Sequence, residues 1–417
     1  MQIWHRIFFS LGLLAMASPV FAAPSDAPYR ATVITQFDAT TITVSYTAGL
    51  ADQHSGRRAT ADDPVRIASI SKLVTALAVM RLVAADQLDL DRDVSEYLGW
   101  TLRNPHYPNQ IITLRLLLSH QSSLIDGGDL YVIPLGETLK SRLSDNRVWD
   151  ATYPAGHYFR YANINYPVVA SIIERVTQER FDHAMDRLVL KPLALSACFN
   201  WTLCSDETVA RAITLYDETG TPRRDDLVGQ RPSCPVFIDA GKACDLSTYV
   251  LGDNGSLFSP QGGLRISMRD LSKIGQMLLR TGDGFLPPAL LAEIYKPVWR
   301  YNGHNGETEG GFFCRFGLGV HIIGQGKKGC SSNGFGDGRR RIGHAGEAYG
   351  LRAGLWIDPK SKTGTAFFIS AVPDTEPKGP SGFYQVEERI LQSPFVQPDR
   401  LPNAFHGPAS PPSAGAK

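Results

Sequence analysis

The chain has 417 residues, of which 43% are hydrophobic, 20% are charged and 10% are aromatic. This is ordinary for one large globular domain, or two closely packed ones, with a sizeable core. The 42 Lys and Arg residues almost balance the 41 Asp and Glu residues, giving a net charge of +1. Nucleic-acid binders and polybasic membrane-surface proteins need a basic excess, so the charge argues against both classes.

The N-terminus has the features of a secretory signal peptide. A short polar start precedes an apolar run over residues 7–17, which is too short to span a bilayer. Small residues around Ala22 offer a cleavage point, so residues 1–22 are predicted to be removed on export. An uncleaved anchor is the alternative. We expect a secreted or periplasmic protein with no transmembrane segment after cleavage.

Six cysteines follow the signal peptide, and an exported chain can form disulfides. A zinc site is the weaker interpretation of these cysteines, because no C-x-x-C pair and no histidine cluster at ligand spacing is present. Six cysteines allow fifteen connectivities. One of them pairs sequence neighbours, namely Cys198 with Cys204, Cys234 with Cys244, and Cys314 with Cys330.

Strand patterns lie near both ends of the chain. Residues 30–49 alternate apolar and polar side chains in two runs, which predicts a β-hairpin. The runs Leu351–Ile357 and Thr365–Ala371 flank a segment rich in turn formers and predict a second antiparallel hairpin. Residues 393–417 are rich in Pro, Ala and Ser and are predicted to be a disordered tail.

Helical spacing dominates the middle of the chain and recurs after the second hairpin. Apolar residues repeat every three or four positions in several stretches, and a capping-box pattern begins at Ser267. Helices are therefore predicted over residues 69–85, 113–119 and 166–176, from 267 onward, and over 383–391.

These elements predict an α+β fold. An antiparallel β-sheet from about residues 29–68 and 260–392 would be flanked by helices, and a mostly helical subdomain of about residues 69–259 would be inserted into it. Residues 23–392 would then form the mature domain.

The first predicted helix begins with the spacing Ser-x-x-Lys. Residues three apart share a helix face, so Ser69 and Lys72 would point the same way, one turn apart. In the first turn, unpaired N–H groups and the helix dipole would favour an alkoxide on Ser69. Lys72 would act as a base if burial disfavours its charge. The alternative is an N-cap serine and a solvated lysine.

Two further patterns carry candidate groups. The hydroxyl of Tyr161 could pass a proton between a lysine and a leaving group, and Asn163 offers a donor and an acceptor to a substrate amide. In His344-Ala345-Gly346, the glycine allows close approach of backbone to substrate, and the histidine is suited to hold a carboxylate or to tune the Tyr–Lys pair. A core tyrosine and a structural histidine are the alternatives. Lys362-Thr363-Gly364 falls in the hairpin turn and is rejected.

Taken in order, these motifs resemble the serine β-lactamase and penicillin-binding superfamily. The nearest branch is that of class C β-lactamases, D-Ala-D-Ala carboxypeptidases and esterases, and the resemblance covers roughly residues 30–392. It includes Ile112–His120 and Ser259–Arg265. It implies a site between the sheet and the helical part, a covalent acyl-enzyme and no metal or cofactor.

The resemblance also implies a role for each candidate residue. The nucleophile would be Ser69, with Lys72 and Tyr161 as base and acid, while Asn163 would bind the substrate amide. The oxyanion hole would be formed by the backbone N–H groups of Ser69 and of Glu347, the residue after Gly346.

Class C β-lactamases carry Lys-Thr-Gly where this chain has His344-Ala345-Gly346. A permanent positive charge for the β-lactam carboxylate is missing, and Glu347 adds a negative charge unless Arg352 or Arg341 offsets it. We expect a hydrolase of small-molecule or peptide substrates, either D-amino-acid peptides such as a peptidoglycan stem or esters. A class C-type β-lactamase and a non-catalytic penicillin-binding or sensing module are the alternatives.

Overall fold

A computed structural model of the protein describes residues 29–324, 326 and 329–397. The predicted signal peptide and residues 398–417 of the predicted tail lie outside this part of the chain. Residues 393–397, predicted as the start of the tail, instead form a turn in which Phe395 packs against Tyr46, with ring centroids 4.7 Å apart. No helix among the described residues is long and apolar enough to cross a membrane.

The main sheet has eight antiparallel strands in the order β10-β11-β12-β13-β14-β15-β1-β2. Both predicted hairpins are present, and they meet where β1 pairs with β15. This confirms the predicted α+β class. In chain order the strands are β1 (Thr32–Asp38), β2 (Ile42–Ala48), β3 (Leu50–Asp52), β4 (Arg57–Arg58), β5 (Val65–Arg66), β6 (Cys198–Phe199), β7 (Leu215–Tyr216), β8 (Pro222–Arg224), β9 (Leu264–Ile266), β10 (Trp299–Arg300), β11 (Arg315–Phe316), β12 (His321–Ile323), β13 (Arg341–Ala348), β14 (Leu351–Asp358) and β15 (Thr363–Ile369).

The helices include every one predicted from helical spacing. Those between β5 and β9 make up the helical part of the molecule, and the later ones lie near the sheet. In chain order they are α1 (Ile70–Ala84), α2 (Val94–Leu98), α3 (Leu114–Leu118), α4 (Leu139–Arg142), α5 (Asn165–Thr177), α6 (Phe181–Met185), α7 (Asp206–Ala210), α8 (Met268–Leu279), α9 (Pro288–Tyr295) and α10 (Gln385–Leu391).

Both faces of the main sheet are covered, because successive side chains along a strand point to opposite faces. In β14, Leu355 belongs to the large core that includes α1 and α8, whereas the next residue, Trp356, belongs to a second core that includes α10. In β15, Phe368 belongs to the large core and Phe367 belongs to the second core. The central strands are therefore buried on two sides and read as nearly continuous apolar runs.

Helix α1 lies in the interior, between the sheet and the helical part. Its sequence is mostly apolar, and most of its residues are buried, as expected of a central helix. It packs against β13 and β14 on one side and against α5 on another. Its N-terminus, which carries Ser69, is thereby fixed by both parts of the molecule.

A small sheet brings a distant segment to this helix start. Strand β9 pairs with both β5 and β6, and the N–H group of Ile67 donates to the carbonyl oxygen of Leu264 over 3.1 Å. Residues 259–263, which precede β9, are thereby held beside the start of α1.

The predicted helix cap at Ser267 forms only in part. The Ser267 hydroxyl accepts from the N–H of Asp270, as predicted, but the Asp270 carboxylate accepts from the N–H of Ser196, so only half of a capping box forms.

The three disulfides join the cysteines that are neighbours in sequence, and among the described cysteines none is free.

Candidate active site

Ser69 stands at the N-cap position of α1, but its side chain does not cap the helix. The residue before it, Ala68, has a positive φ of 47°, a left-handed conformation that non-glycine residues rarely adopt. Such strain is often found at functional sites. Here the left-handed residue directly precedes the start of the helix, and the Ser69 hydroxyl, which makes no cap bond, is free for another partner. The alternative in which the Ser69 side chain caps the helix is therefore wrong.

The partner of Ser69 is Lys72, whose side chain is fully buried. The Nζ atom of Lys72 donates to Ser69 Oγ at 2.9 Å, to Asn163 Oδ1 at 2.8 Å and to the carbonyl oxygen of Gln261 at 3.2 Å. Burial lowers the pKa of this amine to about 7, and the charge of Asp126 opposes the shift. A substantial fraction of Lys72 is thus neutral near pH 7 and able to accept a proton.

Asn163 connects Lys72 to a carboxylate that the sequence patterns did not reveal. Its Oδ1 atom accepts from Lys72, and its Nδ2 atom donates to Asp126 Oδ2 at 2.9 Å. The other oxygen of Asp126 accepts from the N–H group of Ile164 at 3.0 Å. The Asn163 amide is therefore held in one orientation, and it alone separates the carboxylate of Asp126 from the buried amine of Lys72.

Tyr161 lies over the Lys72 amine, with Nζ 4.8 Å from the ring centroid. Its ring stacks on His120 at 4.3 Å and on Phe313 at 5.0 Å. Burial raises the pKa of Tyr161 well above its usual value, and a hydrogen bond with Ser69 partly offsets this. The phenol is thus protonated at neutral pH and able to donate a proton near Ser69.

The edge of β13 forms the other side of the site. Strand β12 pairs with β13 only along Arg341–Gly343, so no strand of the described chain pairs with that edge from His344 onward. A Cβ atom at Gly346 would overlap the carbonyl oxygen of Ile67, two residues before Ser69. Glycine is therefore required for the strand to approach the start of α1 this closely.

His344 is buried on this strand and is uncharged. Its Nδ1 atom lies 2.6 Å from the carbonyl oxygen of Ala345, while Nε2 is buried without a partner among the described residues. Burial, followed by the charge of Lys72, lowers the pKa of His344 to about 3. It offers a hydrogen-bonding nitrogen to the site but no positive charge.

The geometry brings together a buried Ser–Lys–Tyr group and a glycine-bordered strand edge, and comparison with known families agrees with it. The family model described as Beta-lactamase matches residues 37–384. This chain belongs to the β-lactamase family. As a member of that family, it belongs to the serine β-lactamase and penicillin-binding superfamily, as the order of its motifs predicted.

Two curated relatives of this β-lactamase-family chain were found by sequence. Esterase EstB of Burkholderia gladioli is 28% identical over 262 residues, which are 58% of this chain and 63% of the esterase. Protein flp of Staphylococcus aureus strain N315 is 29% identical over 141 residues, covering 31% of this chain and 26% of that protein. The chain thus spans less than two thirds of the length of either relative.

Solved structures share the fold. The D-amino acid amidase from Ochrobactrum anthropi SV3, complexed with L-phenylalanine, has a TM-score of 0.62 and 17% identity, over 89% of this chain and 94% of that one. The octameric penicillin-binding protein homologue from Pyrococcus abyssi has a TM-score of 0.61 and 20% identity, over 89% of this chain and 76% of that one.

A cavity opens beside Ser69. The two cations that line it both have carboxylate partners. Arg352 lies 3.2 Å from Glu347, and Lys378 lies 3.9 Å from Glu309. Other lining side chains are aromatic or polar, and include Tyr161, Phe312, Phe313, His321, Tyr384 and Glu387.

Arg352 is the residue that offsets Glu347, because Arg341 pairs with Asp337 at 2.7 Å instead. Burial raises the pKa of Glu387 to about 8, so this carboxyl is mostly uncharged at neutral pH. The charges in the cavity are thus balanced, and no cation lining it is left for a substrate carboxylate.

The seven candidate residues named from the sequence surround one point. Five of them, Ser69, Tyr161, His344, Gly346 and Glu347, line the cavity, and Lys72 and Asn163 lie directly behind Ser69. The rejected Lys362 is exposed in the turn between β14 and β15.

Sequence reasoning missed Asp126 and the aromatic residues Phe312, Phe313 and Tyr384. No motif marks any of them, and only the fold brings them to the site.

Proposed function

We propose that this chain hydrolyses esters, and secondarily amides of D-amino acids, through an acyl-enzyme on Ser69. The observation that carries the proposal is the fully buried Lys72 amine, 2.9 Å from the Ser69 hydroxyl. Burial makes that amine a base near neutral pH. The names of two similar proteins, an esterase and a D-amino acid amidase, support the two substrate classes.

The proposed acylation step uses groups already in contact. Ser69 Oγ attacks the substrate carbonyl carbon while its proton passes to neutral Lys72, and the resulting oxyanion accepts from the N–H groups of Ser69 and Glu347. The carbon–oxygen or carbon–nitrogen bond to the leaving group then breaks. The leaving group takes a proton from Tyr161, which is replenished from Lys72.

Deacylation repeats the chemistry with water. Water loses a proton to the Lys72–Tyr161 pair as it attacks the acyl carbon, and Ser69 Oγ recovers a proton as it leaves. Asn163 keeps Lys72 in line with Ser69, because its amide is fixed on the other side by Asp126. The products are an acid and an alcohol or amine.

The proposed substrates have leaving groups without a free carboxylate. His344 is uncharged, and Arg352 and Lys378 are already paired with carboxylates. A β-lactam, or a peptide that releases free D-alanine, would place a carboxylate near groups that offer it no net positive charge. An ester whose leaving group is a neutral alcohol places no carboxylate there. This favours esterase activity over β-lactamase or carboxypeptidase activity.

We also propose that residues 1–22 direct export and that residues 23–392 act as one mature domain. Three disulfides support an oxidising compartment outside the cytoplasm, since such bonds seldom persist among reduced thiols. Mass spectrometry of protein secreted from an expressing cell tests this. A mature N-terminus near residue 23 is expected, and an intact N-terminus on exported protein contradicts cleavage.

The substrate proposal is tested with p-nitrophenyl acetate and butyrate, a D-alanine anilide, a D-Ala-D-Ala peptide and nitrocefin. We expect steady ester turnover, slower anilide hydrolysis, and little turnover of the last two, all lost in Ser69→Ala. Sustained nitrocefin hydrolysis would instead favour a β-lactamase. A stoichiometric adduct without turnover of any substrate would favour a non-catalytic binding module.

A further inference from the structure

Arg66, three residues before Ser69, carries a guanidinium group without a hydrogen bond or ion pair to any residue in the described part of the chain. Only 7% of the residue is exposed, and its Nε and Nη1 atoms are buried without partners. A buried charge is costly unless it is paired. Native proteins rarely leave such a group unsatisfied, so its retention calls for a ligand.

Asp225, the carboxylate whose charge acts on Arg66, cannot fill this role because it already bonds other groups. Asp225 accepts from Arg265 at 2.8 Å and from the indole N–H of Trp201 at 2.9 Å. Arg265 also donates to Asn200 at 2.7 Å. Burial, and then the like charge of Arg265, lower the pKa of Arg66 to about 9, which leaves it cationic at neutral pH.

A second guanidinium group adds to the positive charge at this place. The Cζ atom of Arg66 lies 5.3 Å from the ring centroid of Tyr349, and that of Arg224 lies 5.4 Å from the same centroid. Tyr349 follows directly after β13, the strand that borders the active site, and is partly exposed. The charges of Arg66 and Arg265 both act on the carboxylate of Asp225, and Arg224 lies 4.0 Å from the same carboxylate.

This group lies next to the machinery around Ser69. A Cβ atom on Gly262 would lie 3.7 Å from Arg66 Nη2 and 3.7 Å from the carbonyl carbon of Ala68. The residue before Gly262, Gln261, accepts from the Lys72 amine. Because three residues span at most about 11 Å, the Cα atoms of Arg66 and Ser69 are within reach of one medium-length acyl chain.

Arg66 and Tyr349 do not line the cavity that contains Glu347 and Arg352. Two chemically different places therefore adjoin the nucleophile. The cavity has balanced charges, whereas the surroundings of Arg66 have an excess of positive charge.

We propose that Arg66, with Arg224 and Tyr349, forms a subsite for a carboxylate on the acyl part of the substrate. This rests on the proposed hydrolase function and specifies its substrate class as esters or amides of dicarboxylic acids or acidic D-amino acids. The planar fork of an arginine matches the two oxygens of a carboxylate, and the buried setting strengthens that contact. The leaving group would occupy the charge-balanced cavity.

The first test compares two esters that differ only in the end of the acyl chain, p-nitrophenyl hexanoate and the mono-p-nitrophenyl ester of adipic acid. We expect wild type to have a kcat/KM about ten- to a hundredfold higher for the adipate ester, as a charged hydrogen bond provides. Arg66→Met should lose that preference through a higher KM for the adipate ester alone. Arg223→Met, which removes an exposed charge nearby, should retain it.

The second test measures binding without hydrolysis. Calorimetric titration of Ser69→Ala protein with adipate should show binding, which Ser69→Ala/Arg66→Met lacks. If Arg66→Met does not fold, Gly262→Ala in the Ser69→Ala background decides, because its methyl group would occupy the space next to Arg66 Nη2 without displacing any residue. That variant should weaken adipate binding and keep its melting temperature.

The outcomes separate the two proposals. Hydrolysis of hexanoate and adipate esters with equal kcat/KM, or an unchanged adipate preference in Arg66→Met, overturns the subsite and leaves the hydrolase intact. Hydrolysis of neither ester contradicts the proposed function, and the adipate titration then decides the subsite alone. Absence of adipate binding to a folded Ser69→Ala protein overturns the subsite.

Discussion

The Nζ atom of Lys72 lies 2.9 Å from the Oγ atom of Ser69 in the interior of the molecule. An amine in that position acts as a base only when it is neutral, and burial lowers its pKa to about 7. The neutral fraction rises as the pH rises through this value. We therefore expect kcat/KM for a neutral ester to increase with pH up to about 7 and to level off above it.

Lys72→Met should remove this base while keeping most of the side-chain volume. We expect kcat to fall about 10²- to 10⁴-fold, the usual contribution of a general base. The matched control is Lys362→Met, in an exposed turn, which should behave as wild type. Stopped-flow and steady-state ester assays measure both, and a Lys72→Met enzyme with wild-type kcat would exclude Lys72 as the base.

Asp126 is predicted to act as a positioning residue through Asn163 and Lys72. Its negative charge raises the pKa of Lys72, so Asp126→Asn should shift the rising limb of the pH profile to lower pH. Loss of the charged hydrogen bond to Asn163 should also lower kcat by about tenfold. Asp129→Asn, an exposed neighbour, is the control. If Asp126 has only a structural role, Asp126→Asn would lower the melting temperature and leave the rising limb of the pH profile in place.

Gly346→Ala should damage the site by moving the strand edge. The new methyl group would overlap the carbonyl oxygen of Ile67, so β13 must shift away from the start of α1. We expect kcat to fall about 10²- to 10³-fold, comparable to the loss of an oxyanion-hole donor. The control is Gly262→Ala, assayed with a neutral ester, where the added Cβ meets nothing closer than 3.7 Å. Wild-type kcat in folded Gly346→Ala protein would contradict the role of this edge.

His344 is predicted to stay neutral throughout the working pH range, because its pKa is lowered to about 3. His344→Gln keeps a hydrogen-bonding group and should change kcat/KM for neutral esters by less than about tenfold. The pH profile should keep the limb that Lys72 produces. A limb near pH 6.5 that is present in wild type and absent in His344→Gln would show instead that His344 titrates in the working range.

The parts that were predictable from sequence depend on short-range spacing. A three-residue interval on a helix places Ser69 and Lys72 together whatever the rest of the fold does. Strand alternation likewise predicted the hairpins that form β1, β2, β14 and β15. These relationships are local, so they follow directly from the periodicity of the helix and the strand.

The missed residues depend on long-range contacts. Asp126 bonds to Asn163 across 37 positions in a stretch without a periodic pattern, and the Arg66 surroundings involve residues that only the folded chain brings together. The charge state of His344 was equally hidden, because it follows from burial beside Lys72 and not from its neighbours in sequence.

The most direct measurement is the site of covalent modification by a fluorophosphonate ester. Intact-mass and peptide mass spectrometry should find one adduct per chain on Ser69 in wild type and in Ser71→Ala, which alters the next serine of the same helix. Ser69→Ala should stay unmodified. Equal labelling of Ser69→Ala, or an adduct on another residue in wild type, would contradict the assignment of Ser69 as the nucleophile.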